Sequence, residues 1–230
     1  MLESIAFIPD GNRRYARKAG VNFLEAYSLG TKKAWDVMHW LEDYPKVKSG
    51  TFWMLSLENA RKRKAELAIL YKIFDRELSK VKESGYFEAN QVRLKFFGRL
   101  EMLPKKLCQK MREAEDFTQD FKKRTINLAL GYSGRAEIVD AAKRLAAEAK
   151  AGKVDLEKVD EERFENYLYL EQEPDLVVRT SGEQRMSGFL PYQSAYSELY
   201  FCKHYWPEFT EQDLAEAIED FGARKRNFGK

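Results

Sequence analysis

The sequence predicts one α/β domain built on a central, mainly parallel sheet of six strands flanked by helices. Two observations carry this prediction. Short apolar runs alternate with longer segments of helical periodicity along all 230 residues, and four of the runs end in turns rich in Gly, Ser or Asn. Strands that alternate with helices form parallel sheets covered by those helices. We find no linker, repeat or low-complexity segment, so a single domain over residues 1–230 is the simplest organisation.

Six apolar runs have the length and the flanking turns of buried strands. They cover residues 4–8, 51–56, 92–97, 125–130, 175–179 and 199–202. Apolar residues at helical spacing predict amphipathic helices between these strands. The helices cover residues 13–18, 23–41, 63–83, 104–122 and 211–221, with one more after Gly134, and residues 151–171 are polar with short helices at most.

Composition and charge narrow the class of protein. Hydrophobic residues make up 44% of the chain and charged residues 33%, with a net charge of +3. This content suits a globular protein, and the near-neutral balance argues against nucleic-acid binding through the basic runs at 61–64 and 224–226. The two cysteines, Cys108 and Cys202, have no disulfide or metal-ligand spacing, and no signal peptide or membrane span is evident. We therefore expect a reduced, cytoplasmic protein.

The turn after the first strand has the composition of an anion site. Ligands of parallel sheets bind outside the carboxyl ends of the strands, and backbone N–H groups at a helix N-terminus attract anions. Gly11 allows close approach to the backbone, while Arg13 and Arg14 add charged, bidentate donors. Asp10 would repel a phosphate, so it suits a divalent cation that bridges to one. A capping Asp followed by two solvated arginines is the alternative interpretation.

Other strand ends carry further polar groups. Arg179, Arg185 and Ser187 follow the fifth strand, and a single loop could bring them onto one diphosphate; an exposed polar loop is the alternative. Asn59 follows the second strand, where a short polar side chain would point into the crevice. Glu198 opens the sixth strand, and a buried carboxylate there needs an arginine or a metal as its partner.

One further segment can be interpreted in two ways, and several known catalytic motifs are not found in the sequence. Residues 131–137 form another strand–turn–helix, for which a capped helix and a substrate role are equally consistent. His39 and His204 have no partners at catalytic spacing. The sequence contains no pattern typical of a Ser-His-Asp triad, a Cys-His pair, a zinc site, a Walker loop or a dinucleotide fingerprint.

Five blocks of the sequence, in family order, resemble the cis-prenyltransferases, the family of undecaprenyl and dehydrodolichyl diphosphate synthases. They read IAFIPDGNRRYA from residue 5, SLEN from 56 with Glu66, GYSGR from 131 with Glu137, RTSGEQRMS from 179, and YSELYF from 196 with WPEF from 206. The resemblance implies a homodimer with an apolar tunnel for the growing chain and Mg²⁺ as cofactor. It implies two substrates: an allylic prenyl diphosphate at the first turn, and isopentenyl or dimethylallyl diphosphate as acceptor on the later arginine loop.

The resemblance also assigns roles to individual residues. Asp10 would bind Mg²⁺ and act in catalysis together with Arg14 and Asn59, and Glu198 would be a second metal ligand, from the same chain or from the partner subunit. The substrate-binding residues would be Gly11, Asn12, Arg13, Tyr27, Ser56, Lys62, Arg179, Arg185 and Ser187. Candidates for the tunnel wall, each with ordinary core packing as the alternative, are Trp53, Leu55, Leu67, Leu70, Phe74 and Phe97.

Departures from the family pattern leave the acceptor open. Pro9 replaces the usual Met, and the Phe-x-Pro segment 189–191 replaces a segment that usually continues with Leu. Both are similar to divergent members that make irregular, head-to-middle linkages with an allylic acceptor. Tyr27 replaces the usual His, which removes a candidate proton relay.

Two further expectations concern the subunit role of the protein and its contact with a membrane. A non-catalytic subunit of a heteromeric prenyltransferase is the alternative function, but the acidic and arginine residues that such a subunit would lose are present here: Asp10, Arg14, Arg179, Arg185 and Glu198. A lipid product would bring the protein into peripheral contact with a membrane surface.

Overall fold

The fold was obtained as a computed structural model, which describes residues 1–62 and 64–224. Its sheet has the strand order β3-β4-β2-β1-β5-β6, and the five strand pairings are all parallel. The six predicted strands are therefore confirmed. Their bounds are β1 (Ser4–Ile8), β2 (Ser49–Ser56), β3 (Val92–Phe97), β4 (Arg124–Tyr132), β5 (Leu176–Arg179) and β6 (Glu198–Phe201).

Helices connect these strands and cover the sheet. They are α1 (Asn12–Ala19), α2 (Phe23–Trp40), α3 (Leu57–Lys62), α4 (Lys64–Glu83), α5 (Tyr86–Asn90), α6 (Lys105–Thr118), α7 (Gly134–Lys150), α8 (Glu161–Glu165) and α9 (Glu211–Ala223). Side-chain caps fix several of their starts. Asn22 accepts a hydrogen bond from the Glu25 amide at 2.9 Å before α2, and Thr210 forms a reciprocal capping box with Asp213 before α9.

The core lies on both faces of the sheet, and its centre is β1. All five residues of β1 are buried, because β2 and β5 flank it on its two sides. On one face Phe7 stacks on Phe52 with ring centroids 4.8 Å apart, and Trp206 packs against both rings. Every residue of this strand after Ser4 is apolar, as burial on both faces of a sheet favours, and this apolar run makes the strand recognisable from sequence alone.

Two differences from the predicted elements have local causes. The helices α3 and α5 were missed, because five or six residues are too few to show helical periodicity. The predicted helix at 104–122 ends at Thr118, where the side chain donates back to the Ala114 carbonyl at 2.9 Å. The predicted basic tail lies outside the described residues from 225 onward, as does residue 63.

The parallel topology brings one end of every strand to the same edge of the sheet. The segments after β1, β2, β4 and β5 begin at Pro9, Leu57, Ser133 and Thr180, so the polar turns singled out in the sequence meet there. None of the helices in the described ranges is long and apolar enough to cross a membrane.

Candidate active site

The turn between β1 and α1 leaves a helix N-terminus open to an anion. Gly11 is the N-cap residue at φ 104°, a left-handed conformation, and it supplies no side-chain acceptor for the first amides of α1. A Cβ at this position would lie 2.7 Å from the Tyr205 ring and 3.0 Å from Cβ of Ser181. No acidic residue occupies the first turn of α1. Both the positive φ and the contact with Tyr205 require glycine here, so the sequence secures an uncapped, positive helix end.

The carboxylate of Asp10 lies between two arginines. Arg179 donates to its Oδ2 at 2.9 Å and Arg14 donates to the same atom at 3.3 Å. Oδ1 accepts from the Gly11 amide at 2.7 Å. Burial by itself would raise the pKa of Asp10, but the hydrogen bond and charge of Arg179 and the charge of Arg14 outweigh it and hold that pKa below its usual 3.8. Asp10 is therefore ionised at neutral pH.

The loop that follows β5 is folded around Arg179. The side chain of Arg179 is only 5% exposed, and its Nη1 donates to the Ser187 hydroxyl at 2.8 Å and to the Arg185 carbonyl. Ser187 and Leu190 in this loop have φ values of 53° and 45°, which non-glycine residues rarely adopt. The loop therefore holds the predicted pair of Arg179 and Ser187 next to Asp10.

Glu183 links an arginine of the first turn, Arg14, to an arginine of the loop after β5, Arg185. The sequence did not predict this role for Glu183. Its Oε1 accepts from Arg14 Nη1 at 2.7 Å, and its Oε2 accepts from Arg185. Arg14 also contacts the Ser181 hydroxyl at 2.5 Å. A carboxylate is an unexpected group in a diphosphate site, and no spacing in the sequence indicates that it pairs with an arginine 169 residues away. Two carboxylates thus hold the arginines of both loops in one network.

These groups open onto a cleft of about 880 Å³. Arginine is the commonest charged residue in its wall, which suits an anionic ligand. The residues of the predicted site that line it are Asp10, Gly11, Asn12, Arg13, Arg14, Tyr27, Ser56, Asn59, Arg179 and Ser187. Further cationic lining comes from Arg17 and Arg135. A cleft of this size is in the range of small-molecule sites.

Tyr27, at the position where the family usually has His, faces Glu66 across the cleft. Its hydroxyl donates to Glu66 Oε2 at 2.6 Å, and Arg13 Nε lies 3.4 Å from the other oxygen of that carboxylate. Nearby, the Ser56 hydroxyl accepts from the Asn59 amide at 3.1 Å and so fixes the start of α3. Tyr27 and Glu66 therefore place two polar groups beside the first turn of α1.

Four residues that line the cleft carry a buried polar atom without a hydrogen-bond partner within residues 1–62 and 64–224. The atoms are Oδ1 of Asn12, Nε of Arg13, Nε1 of Trp53 and Nε of Arg179. Buried polar atoms are rarely left unsatisfied, so each needs a partner that the protein itself does not supply. Gly30 makes room for the Asn12 amide, because a Cβ at residue 30 would lie 2.2 Å from Oδ1. The amide oxygen of Asn12 is therefore packed against α2.

Three predicted site residues are not brought to the cleft wall. Lys62 is exposed at the end of α3, and the Arg185 side chain is 60% exposed and pairs with Glu183. Glu198 lies beside Leu176 at the start of β6, at the opposite end of the strands from Asp10, and its Oε2 accepts from Nη1 of Arg224 at 2.6 Å. Within one chain, the predicted metal pair of Asp10 and Glu198 is therefore not formed.

The apolar wall of the cleft contains most of the predicted tunnel residues. Trp53, Leu55, Leu67 and Leu70 line the cleft, while Phe74 lines an adjoining apolar cavity of about 80 Å³. Met54 lies on both. Phe97 lines neither of these two cavities and packs edge-on against Tyr132, which agrees with the alternative of ordinary core packing. The tunnel itself stays a prediction.

The block at 131–137 contributes Ser133 and Arg135 to the cleft wall, and its last residue belongs to a buried network behind the cleft. Glu137 is 0% exposed, and it accepts hydrogen bonds from the Tyr132 hydroxyl at 2.5 Å and from the Tyr169 amide at 2.8 Å. Burial raises the pKa of Glu137. The Tyr132 hydroxyl in turn accepts from the Leu190 amide at 3.2 Å. This network fixes the end of the Ser187 loop against α7.

The donor set around Asp10 suits Mg²⁺. This ion usually takes one or two carboxylates and completes its shell with water and substrate phosphate oxygens. Asp10 offers an ionised carboxylate at the mouth of an arginine-lined cleft, and the arginines that now bind Oδ2 could turn to the phosphates. Of the predicted metal pair, Asp10 alone reaches the cleft within this chain, because Glu198 lies elsewhere.

Comparison with known proteins agrees with this geometry. Residues 8–229 match the family model described as putative undecaprenyl diphosphate synthase. The chain is 43% identical over 98% of its length to a tritrans,polycis-undecaprenyl-diphosphate synthase (geranylgeranyl-diphosphate specific) of Pyrobaculum aerophilum, of which it covers 95%.

Two solved structures share the fold. Lavandulyl diphosphate synthase from Lavandula x intermedia, in complex with dimethylallyl diphosphate, superimposes with a TM-score of 0.92 at 32% identity, over 98% of this chain and 97% of the other. A probable undecaprenyl diphosphate synthase from Campylobacter jejuni gives a TM-score of 0.82 at 30% identity, over 100% and 99% of the two chains. The fold and the arginine-lined site define a prenyltransferase. The chain belongs to the undecaprenyl diphosphate synthase family, the cis-prenyltransferases.

Proposed function

We propose that the protein condenses an allylic prenyl diphosphate with isopentenyl diphosphate in a Mg²⁺-dependent reaction and releases diphosphate. The observation that carries the proposal is the pairing of Asp10 with Arg179 and Arg14 in a cleft with one cationic and one apolar wall. A geranylgeranyl-specific relative at 43% identity supports geranylgeranyl diphosphate as the allylic primer.

The allylic diphosphate would bind at the N-terminus of α1. The first amides of this helix, with Arg13 and Arg14, offer donors to its phosphate oxygens. Asn12, whose amide oxygen has no partner among the described residues, lines the same cleft. The hydrocarbon tail would lie against Leu67 and Leu70 of α4, away from water.

The acceptor diphosphate would bind on the loop after β5. Arg179 and Ser187 are already oriented there, and Nε of Arg179 lacks a partner among the described residues. Arg185 lies on the outer side of the loop and would turn inward from Glu183. Arg179 would thus contact Asp10 on one side and the acceptor on the other.

In the reaction, the C–O bond at C1 of the allylic substrate breaks and diphosphate leaves with the electron pair. The double bond of the acceptor attacks C1, a C–C bond forms, and C2 of the acceptor loses a proton. Mg²⁺, when bound, would neutralise charge on the departing diphosphate. Arg13, Arg14 and the helix end are preorganised donors for the same developing charge.

A second acceptor is supported by the structural similarity to lavandulyl diphosphate synthase. The segment 189–191, which departs from the usual family sequence, packs tightly on the start of α7. A Cβ at Gly134 would lie 2.0 Å from Pro191, and the Gly134 amide donates to the Gly188 carbonyl at 3.0 Å. With dimethylallyl diphosphate as acceptor, the same site would form an irregular, head-to-middle linkage.

A homodimer is part of the proposal. Glu198 opens β6 at the edge of the sheet opposite Asp10. This position supports a homodimer, since the carboxylate could complete a metal site only across an interface with a second copy. Sedimentation of the purified protein tests the dimer. Mixing of Asp10→Ala and Glu198→Ala chains tests the shared site, because partial recovery of activity would require residues from both copies.

The substrate test offers the protein geranylgeranyl diphosphate, dimethylallyl diphosphate or both, each with and without isopentenyl diphosphate. Mass spectrometry and NMR of the products give chain length and linkage. Products that form only with isopentenyl diphosphate support regular elongation, whereas a product from dimethylallyl diphosphate alone supports the irregular reaction. Absence of turnover with every combination would favour the non-catalytic subunit instead.

A further inference from the structure

Three side chains behind the Asp10 turn form a cluster of metal-ligand type that the diphosphate cleft does not use. Cys202 and His204 lie on the segment after β6, and Asp213 lies in the first turn of α9. One ligand atom from each residue falls within 4.8 Å of the other two. The sequence did not indicate the cluster, because two of its residues are separated from the third by a loop and a capping residue.

The carboxylate of Asp213 contacts all its neighbours at once. Oδ2 accepts from the Thr210 amide and from the Thr210 hydroxyl, both at 2.8 Å, and so completes the capping box of α9. His204 Nδ1 lies 2.9 Å from Oδ2 and 3.0 Å from Oδ1, and Cys202 Sγ lies 3.5 Å from Oδ1. Thr210 therefore fixes the orientation of a carboxylate that faces a thiol and an imidazole, as supporting groups do around metal ligands.

The chemistry of these donors selects the cation. A thiolate, an imidazole nitrogen and one carboxylate oxygen suit Zn²⁺, whereas Mg²⁺ prefers oxygen ligands alone. Cys202 and Asp213 are buried, but the His204 side chain is 56% exposed. Water can therefore reach the cluster from the side of His204 and supply the fourth ligand of a tetrahedral site.

We propose that Cys202, His204 and Asp213 bind a zinc ion at a site separate from the proposed diphosphate site. Binding would replace the hydrogen bonds that now join the three side chains, and the Cys202 thiol would release its proton to solvent as the Zn–S bond forms.

The position of the cluster gives the ion a structural task. The Ser181 amide donates to the His204 carbonyl at 2.6 Å, and the Gly182 amide donates to the Cys202 carbonyl at 2.8 Å. The Trp206 amide donates to the Asp10 carbonyl at 2.9 Å. Zinc would thus clamp the segment that supports both phosphate-binding turns, and its main effect would be on stability.

Cobalt substitution tests the site without any assay of activity. We expect one Co²⁺ per chain to bind metal-stripped protein and to give a near-ultraviolet thiolate-to-cobalt charge-transfer band. Cys202→Ser should abolish the band, and His204→Ala should weaken Co²⁺ binding at an exposed position where folding is not at risk. Cys108→Ser, which replaces the other cysteine of the chain, is the matched control and should keep the band.

Thermal unfolding gives a second measurement. Zinc at about a hundredfold above its dissociation constant should raise the Tm of wild-type protein by roughly 5–10 °C and leave that of His204→Ala nearly unchanged. A wild-type protein that binds no Co²⁺, or a charge-transfer band that persists in Cys202→Ser, would overturn the zinc site. Neither result would bear on the prenyltransferase proposal, which fails only if no combination of prenyl diphosphates is turned over.

Discussion

Arg179 donates a hydrogen bond to Asp10 at 2.9 Å, across 169 residues of sequence. The bond follows from the sheet, because β1 and β5 are parallel neighbours and Ile8 is paired with Arg179. Two strand ends that meet at the same edge place an acid and a buried guanidinium in contact. The same guanidinium contacts Ser187, so a single side chain connects the first turn to the loop after β5.

Replacement of Asp10 by Asn tests the role of its charge. The amide keeps the shape of the side chain but removes the negative charge from the proposed metal site, and we expect kcat to fall by about 10²–10³. Steady-state turnover of an allylic diphosphate with isopentenyl diphosphate at saturating Mg²⁺ measures the change. Asp43→Asn, at an exposed position in another part of the fold, is the matched control, and equal activity of the two variants would contradict the assignment.

The depressed pKa of Asp10 predicts how stability changes with pH. Its folded pKa lies below the usual 3.8, so ionised Asp10 stabilises the folded state above about pH 4, and this contribution is lost as the pH falls through the folded pKa. The difference in urea midpoint between wild type and Asp10→Asn should be constant from about pH 5 to pH 8 and should shrink below about pH 4. A difference that already changes around neutral pH would mean that Asp10 is not held ionised by the arginines.

Gly11 and Gly20 offer a matched pair for the first turn. Both have positive φ, but a Cβ at Gly11 would meet Tyr205 at 2.7 Å, whereas nothing lies within 4 Å of a Cβ at Gly20. Gly20→Ala should therefore cost about 1 kcal/mol of stability through backbone strain and leave turnover unchanged. Gly11→Ala should add the clash, displace the turn that carries Asp10 and reduce kcat/KM at least tenfold. Chemical denaturation and steady-state kinetics separate the two effects.

The sequence was sufficient for the parts of the site that depend on local pattern. Apolar runs such as residues 4–8 and the polar turns after them predicted the sheet and the position of the cleft, because a parallel sheet allows few arrangements of its strand ends. The resemblance then supplied Asp10, Arg14 and Arg179. Glu183 could not be found this way, since its importance lies in contacts with arginines on two different loops.

Other features depend on backbone conformation or on tertiary packing. The left-handed conformations of Ser187 and Leu190 are imposed by Arg179 and by the Tyr132 network, and neither residue type favours them. Lys62 and Glu198 were assigned by position in a motif, which does not determine the direction of a side chain or the subunit that it serves. Lys62 is exposed at the end of α3, and Glu198 lies at the start of β6, at the edge of the sheet opposite Asp10.

Met54 lies at the junction of the cleft and the small apolar cavity behind it, and it offers a test of product length. A cavity of about 80 Å³ leaves little room for a long prenyl chain, so the chain must either push side chains aside or stop. Met54→Ala removes a flexible side chain from the junction. If the cavity is the path of the growing tail, mass spectra should shift toward products longer by one or more five-carbon units.

Met102→Ala is the control for that shift, because Met102 is 42% exposed and contributes to neither the cleft nor the cavity. Substitution of a partly buried Met by Ala costs about 2–5 kcal/mol when a cavity remains, so unfolding of both variants has to be measured under assay conditions. A folded Met54→Ala enzyme with the wild-type product distribution would place the growing tail elsewhere. The wall formed by Leu67 and Leu70 would then be the next to substitute, since it faces the same cleft without opening into the cavity.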